Sequence, residues 1–125
     1  MSTVDLTTTT FNETVETSDI VMVDFWASWC GPCRSFAPVY DKVSKEFPDV
    51  VFGKIDTEAE QELAASFDIT SIPTLLAIRE GVVLFMQPGA LPEGNLRELV
   101  AQLVGIDMEQ VRADIAANDA GDQAR

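Results

Sequence analysis

The chain contains no histidine, which excludes Cys–His nucleophilic catalysis, His-ligated metals and an imidazolium beside a thiol. Cysteine is scarce too: there are two, Cys30 and Cys33, with only Gly31 and Pro32 between them. Basic residues are few, 8 Lys and Arg against 21 Asp and Glu, for a net charge of −13. Such a chain lacks the cationic clusters that phosphate contacts need, so neither nucleic acid nor anionic lipid is expected as a partner. No apolar run approaches the length of a membrane span. The opening MSTVDLTTTTF has neither a basic start nor an apolar core, so no secretory signal is read. The expected compartment is therefore the cytoplasm, where thiols are kept reduced and a permanent disulfide is rare.

What is present fits one globular domain. The 125 residues are 46% apolar, with seven Phe and two Trp, enough for a core without a staple. After a Thr-rich opening, Phe11 to Glu16 reads as a short helix or turn. IVMVDFWA, residues 20–27, is apolar on both alternating faces apart from Asp24, the pattern of a strand covered on two sides. From Pro32 to Phe47 the period becomes helical, with Phe36, Val39, Tyr40, Val43 and Phe47 in one stripe. Pro32 suits a first turn, whereas Pro38 should bend the helix. VVFGKID, residues 50–56, reads as a second buried strand. Residues 57–67 read as a helix with a capping box from Thr57 to Glu60. Two strands, 74–79 and 82–87, meet at Glu80-Gly81 in a hairpin. Pro92 opens a helix with Leu96, Leu99, Val100 and Leu103 on one face, and Gly105 ends it. Beyond lies an acidic extension, 106–125, where Asp107 and Gln110 could cap a helix and NDAGDQAR reads as disordered. The order β-α-β-α, hairpin, α implies an α/β fold with parallel central strands, an antiparallel edge and helices on both faces.

The two cysteines admit three readings. A structural zinc site wants four N or S ligands, and two thiols do not supply them. A disulfide closing so short a loop removes little chain entropy, so a staple would stabilise almost nothing. A redox pair uses every local feature. Cys30 ends a strand-to-helix connection and Cys33 lies one turn into the helix, whose N-terminal N–H groups stabilise a thiolate. In such a pair the first cysteine points outward and attacks, and the second, facing inward, resolves the mixed disulfide. Pro32 offers no N–H where stronger oxidants carry a His, so the pair should act as a reductant.

With VDFWASWCGPCR at 23–34, Ser71-Ile72-Pro73-Thr74 and Gly89-Ala90, the chain resembles the thioredoxin family from about residue 5 to residue 104. A bare CxxC is weak, since zinc sites share it; WCGPC with a later Ile-Pro-Thr is specific. The resemblance implies the thioredoxin fold: a mixed sheet of four to five strands with helices on both faces, in a domain over residues 1–105, followed by the acidic helical extension. It implies a protein disulfide reductase with Cys30 as nucleophile and Cys33 as resolving thiol, cycling through a Cys30–Cys33 disulfide. No bound cofactor is implied; NADPH and flavin belong to a partner thioredoxin reductase. The other partners would be disulfide-containing proteins, and the chain would act as a monomer.

Asp24 sits in a two-faced apolar strand, six residues before Cys30 and nine before Cys33. Read plainly, it faces a cavity or strand end; burial would raise its pKa and make it a proton acceptor. The family assigns its matching Asp that role toward the buried thiol. Lys54 could simply cover apolar surface with its stem; the resemblance sets it beside Asp24 as a cation that tunes it. Pro73 could be an ordinary turn proline; the resemblance makes Ile72-Pro73 cis, with the Ile72 backbone free to pair with an extended substrate. Trp29, Ile72, Pro73, Gly89 and Ala90 would then form an apolar patch around Cys30, with Gly31 and Pro32 completing the active-site loop. Trp26 reads as structural. Gln87-Pro88 departs from the family, and its missing N–H at the groove should alter partner choice. Two rivals remain: a reductase dedicated to few partners, and a non-redox binding or holdase module that would keep its function after both cysteines became serine.

Overall fold

The computed structural model describes the backbone of residues 2–123 and the side chains of residues 2–118. In chain order the elements are β1 (Thr3–Asp5), α1 (Phe11–Thr17), β2 (Ile20–Trp26), α2 (Gly31–Ser44), β3 (Val51–Asp56), α3 (Gln61–Ser66), β4 (Thr74–Arg79), β5 (Val82–Pro88), α4 (Glu93–Val104) and α5 (Met108–Gln123). The five strands form one sheet in the order β1-β3-β2-β4-β5. β1, β3 and β2 run parallel, and β4 and β5 run antiparallel to their neighbours. The expected mixed sheet is thus present.

The two-sided apolarity of β2 follows from this central position, and the strand is buried from Ile20 to Phe25. Ile20 and Met22 face a core built with Phe36, Tyr40 and Val43 of α2 and with Leu96, Val100 and Leu103 of α4. Val21, Val23 and Phe25 face the opposite core, which includes Phe11, Leu63 and Ile55. Because side chains alternate along a strand, Asp24 and Trp26 share the face of Ile20 and Met22, under α2. Gly53, in mid-β3, leaves room for Leu6, which a side chain at that position would strike. The β4–β5 turn takes its form from two left-handed residues, Glu80 at φ 52° and Gly81 at φ 79°.

One expectation needs correction. Thr57 and Glu60 form no capping box, and α3 begins only at Gln61. Their side chains are taken by distant backbone: Thr57 Oγ1 donates to Trp26 O at 3.0 Å, and Glu60 Oε1 accepts from Thr8 N–H at 2.8 Å. Asp56 instead caps the turn, its Oδ1 accepting from Glu58 N–H at 2.9 Å. α2 spans Gly31–Ser44 with Pro38 in its interior, the position where a bend is expected. Thr3–Asp5, unassigned in the sequence, becomes a strand by pairing with Phe52–Lys54. The helix of the extension is Met108–Gln123, and the last two residues of NDAGDQAR, the stretch expected to be disordered, lie outside the described chain. It is capped as expected by Asp107, whose Oδ1 accepts from Gln110 N–H at 3.2 Å.

The start of α5 is tied to the far end of the sheet. Arg79, the last residue of β4, donates through Nη1 to the carbonyls of Leu103 at 2.8 Å, Val104 at 3.2 Å and Ile106 at 2.7 Å. Leu103 and Val104 belong to the last turn of α4, where carbonyls run short of intrahelical donors, and Ile106 lies in the connection to α5. Met108 is buried and Arg112 pairs with Glu80. Among the described residues, no helix is long and apolar enough to cross a membrane.

Candidate active site

At the C-terminal end of β2 the chain turns into α2, and the first helical turn carries both sulfurs. Cys30 is the N-cap of α2, in extended backbone (φ −85°, ψ 112°), with Pro32 in the first turn. Its Sγ accepts a hydrogen bond from Cys33 N–H at 3.2 Å. The helix thus directs one of its free N–H groups, and the positive end of its dipole, onto the sulfur of Cys30. Cys30 and Cys33 are joined as a disulfide, with Cα atoms 5.2 Å apart. Among the described residues no group of His, Cys, Asp and Glu could hold a metal ion.

The outward and inward expectation for the two sulfurs is not what the oxidised pair displays. Cys30 is 4% exposed and Cys33 2%. The reason is local: both pack with Ala27, Trp26 and Ile72, and Cys30 Sγ lies 3.8 Å from Ile72 O. That carbonyl belongs to the cis Ile72-Pro73 peptide, which leads into β4 beside the cysteines. Pro73 itself is buried, so it adds nothing to an exposed patch. Ile72 is half-buried, while Gly89 and Ala90 are exposed. Gly89 has φ 103° and donates its N–H to Pro73 O at 2.7 Å, tying the end of β5 to the cis bond.

That bond also decides what Pro88 removes. Pro88 is opposite Thr74, and the Gly89-to-Pro73 bond makes this a non-hydrogen-bonded pair of the antiparallel ladder. The donor Pro88 lacks therefore falls on the outer edge of β5 and not on the side facing Pro73.

Trp29 is 64% exposed, and its indole Nε1 donates to Glu58 Oε1 at 2.6 Å. The sequence reading did not single out Glu58. It lies 29 residues from its partner in a turn after β3, and no local pattern marks it. Gly31 and Pro32 lie at the helix start, half-buried and exposed respectively. Arg34 Nη1 donates to Ser28 O at 2.9 Å, closing the loop from the other side.

Asp24 is wholly buried and neither carboxylate oxygen has a hydrogen-bond partner. Burial pushes its pKa from 3.8 up to about 7, against the opposing pull of the Lys54 cation. Lys54 is its register partner on β3, so the two side chains share a face. On the other side, Leu75 of β4 is opposite Asp24 and offers no polar group. From α2, Tyr40 reaches the same region, its hydroxyl donating to Gly53 O at 2.8 Å. Burial, and then the charge of Asp24, hold the Tyr40 phenol well above its ordinary range.

A helix dipole aimed at one sulfur, a second sulfur within bonding reach and a cis-proline carbonyl alongside define a dithiol–disulfide oxidoreductase of α/β architecture. Comparison with known proteins makes that class specific. The family model described as Thioredoxin matches residues 2–102. The chain is 52% identical over 119 residues to a protein named putative thioredoxin 2 of Streptomyces coelicolor, covering 95% of this chain and 89% of that one. It is 44% identical over 94 residues to the thioredoxin of Haemophilus influenzae, covering 74% of this chain and 88% of that one. Among solved structures it superposes on Plasmodium falciparum thioredoxin with a TM-score of 0.74 and 32% identity, covering 79% of this chain and 97% of that one. The chain belongs to the thioredoxin family, and its activity is thiol–disulfide exchange.

Proposed function

We propose that this thioredoxin reduces disulfides in cytoplasmic proteins and is itself recycled by a thioredoxin reductase, whose flavin passes on electrons from NADPH. The observation that carries this reading is the hydrogen bond from Cys33 N–H to Cys30 Sγ at the head of α2. That donor stabilises negative charge on Cys30 once the pair is reduced, which makes it the nucleophile. The Cys30 thiolate attacks one substrate sulfur, forming a mixed disulfide and releasing the other sulfur as a thiolate. Cys33 then loses its proton to Asp24 and attacks Cys30 Sγ. The Cys30–Cys33 bond forms, the substrate leaves with two thiols, and two electrons have passed to it.

Asp24 suits the acceptor role because its pKa of about 7 matches the working pH. Lys54, in register with it, keeps that value from rising further. Ile72, next to cis Pro73, offers backbone to an extended substrate segment, with Trp29, Gly89 and Ala90 as the surrounding surface. Residues 1–105 carry this work as a monomeric thioredoxin domain, with residues 106–125 as an appended element. The acidic surface keeps nucleic acid and anionic membranes from competing with protein substrates.

The test is NADPH consumption with a thioredoxin reductase and a disulfide protein, comparing the native chain with Cys30→Ser. Turnover that disappears in the variant supports both the reductase cycle and the nucleophile. No turnover by the native chain, while dithiothreitol still reduces its pair, points to a different electron donor and rejects the recycling step.

A further inference from the structure

Lys54 has more than one carboxylate to choose from. On β3 it is in register with Asp24 of β2 on one side and with Asp5 of β1 on the other, so all three share a face. Asp56, two residues on along β3, shares it as well, though its Oδ1 is committed to Glu58 N–H at 2.9 Å. Asp5 is exposed and Asp24 is buried. Left to itself, an ammonium prefers the hydrated carboxylate, because a pair with Asp24 costs it water. Yet Lys54 Nζ lies 4.9 Å from the centroid of the Trp26 ring, which belongs to β2, on the Asp24 side. Trp26 follows Asp24 by two residues and therefore stands next to it on the same face.

We propose that Trp26 is a positioning residue: its ring face draws the Lys54 ammonium away from Asp5 and holds it over β2 beside Asp24. The ring is itself held by packing. It lies against the Ala27, Cys30 and Cys33 cluster, and its buried indole N–H has no acceptor. A cation over an aromatic face is attracted by the ring quadrupole, and that attraction strengthens as water is excluded. The tryptophan thus links the sulfur pair to the cation that tunes the buried acid. This inference rests on the Asp24–Lys54 pairing proposed above.

The groups that bear on Asp24 are few. They are Lys54 from β3, Tyr40 from α2 and, through Lys54, Asp5 and Asp56; Leu75 of β4 is apolar, and the two cysteines pack against the neighbouring Trp26. Holding the pair oxidised removes the thiols from the titration. The Asp24 carboxyl carbon can then be followed directly by NMR against pH, without any turnover.

In Trp26→Leu the ring is gone and Lys54 is free to turn to Asp5, so the Asp24 midpoint should rise by roughly half a pH unit. The sign is diagnostic. A mere packing defect admits water and lowers the midpoint, whereas loss of the cation raises it. Trp26→Phe, which keeps a ring face, should shift it less, and serves if the leucine variant does not fold. With Lys54→Met already in place, removing the ring should raise it no further, and Asp5→Asn should restore most of the shift in Trp26→Leu. An unchanged or lowered midpoint in Trp26→Leu overturns the proposal. So does a rise that persists undiminished without Lys54, or a phenylalanine variant that shifts as far as Lys54→Met. If Asp24 is not the proton acceptor, Asp24→Asn leaves the rate of substrate reduction unchanged, a result independent of these titrations.

Discussion

Asp24 carries a sharp local conflict, a buried carboxyl group without a hydrogen-bond partner in a strand that is otherwise apolar. Its pKa rises from 3.8 to about 7, so between those values the folded chain keeps a proton that the unfolded chain has released. Stability therefore falls as pH climbs through that window and levels off above it. The shift corresponds to an upper bound of roughly 4 kcal/mol at pH 8. Asp24→Asn is expected to stabilise the protein at pH 8 by about 2–4 kcal/mol, and by nearly nothing at pH 4. Urea unfolding at the two pH values checks this, and a gain independent of pH would contradict it. The position of Asp24 was legible because one charge interrupts an apolar run. Its surroundings were less so: Tyr40 read only as part of a helical stripe, and its approach to Asp24 is a matter of how α2 lies on the sheet. The bond from Trp29 to Glu58 was equally hidden, since it joins a loop to a turn on a different strand.

At the scale of elements, β2, α2 and the β4–β5 hairpin were readable because each carries its own periodicity or turn chemistry. β1 was not, since Thr-Val-Asp is too short to show alternation and becomes a strand only beside β3. The start of α3 misled for the opposite reason. A capping box is a local signal, and here the fold offers Thr57 and Glu60 partners on other elements. The long helix of the extension also depends on a remote anchor. Arg79 supplies hydrogen bonds to three carbonyls where α4 ends and α5 approaches. Arg79→Met, which keeps an apolar stem, is expected to cost about 2–4 kcal/mol and to speed hydrogen exchange over residues 100–115. Dithiothreitol should reduce the Cys30–Cys33 bond at an unchanged rate. Exchange that rises equally across the sheet would mean instead that Arg79 supports the whole core.

For the whole molecule, a net charge of −13 sets the terms of encounter. Positively charged disulfide proteins should be reduced faster at low ionic strength than negatively charged ones. Raising salt from about 0.01 to 0.15 M, which shortens the screening length about four-fold, should slow the first and speed the second. Second-order rate constants for one basic and one acidic substrate test this, and identical salt slopes would exclude long-range steering. The arrangement of the two ends has a practical side as well. β4 begins next to the cis peptide and the sulfurs, and ends at the arginine that anchors the extension. Six residues of strand separate the two, a span of roughly 20 Å. A linker attached at the start of α5, near the Arg112–Glu80 pair, would accordingly stand a strand's length from the sulfurs, so the chain can be tethered there with its reactive face turned to solution.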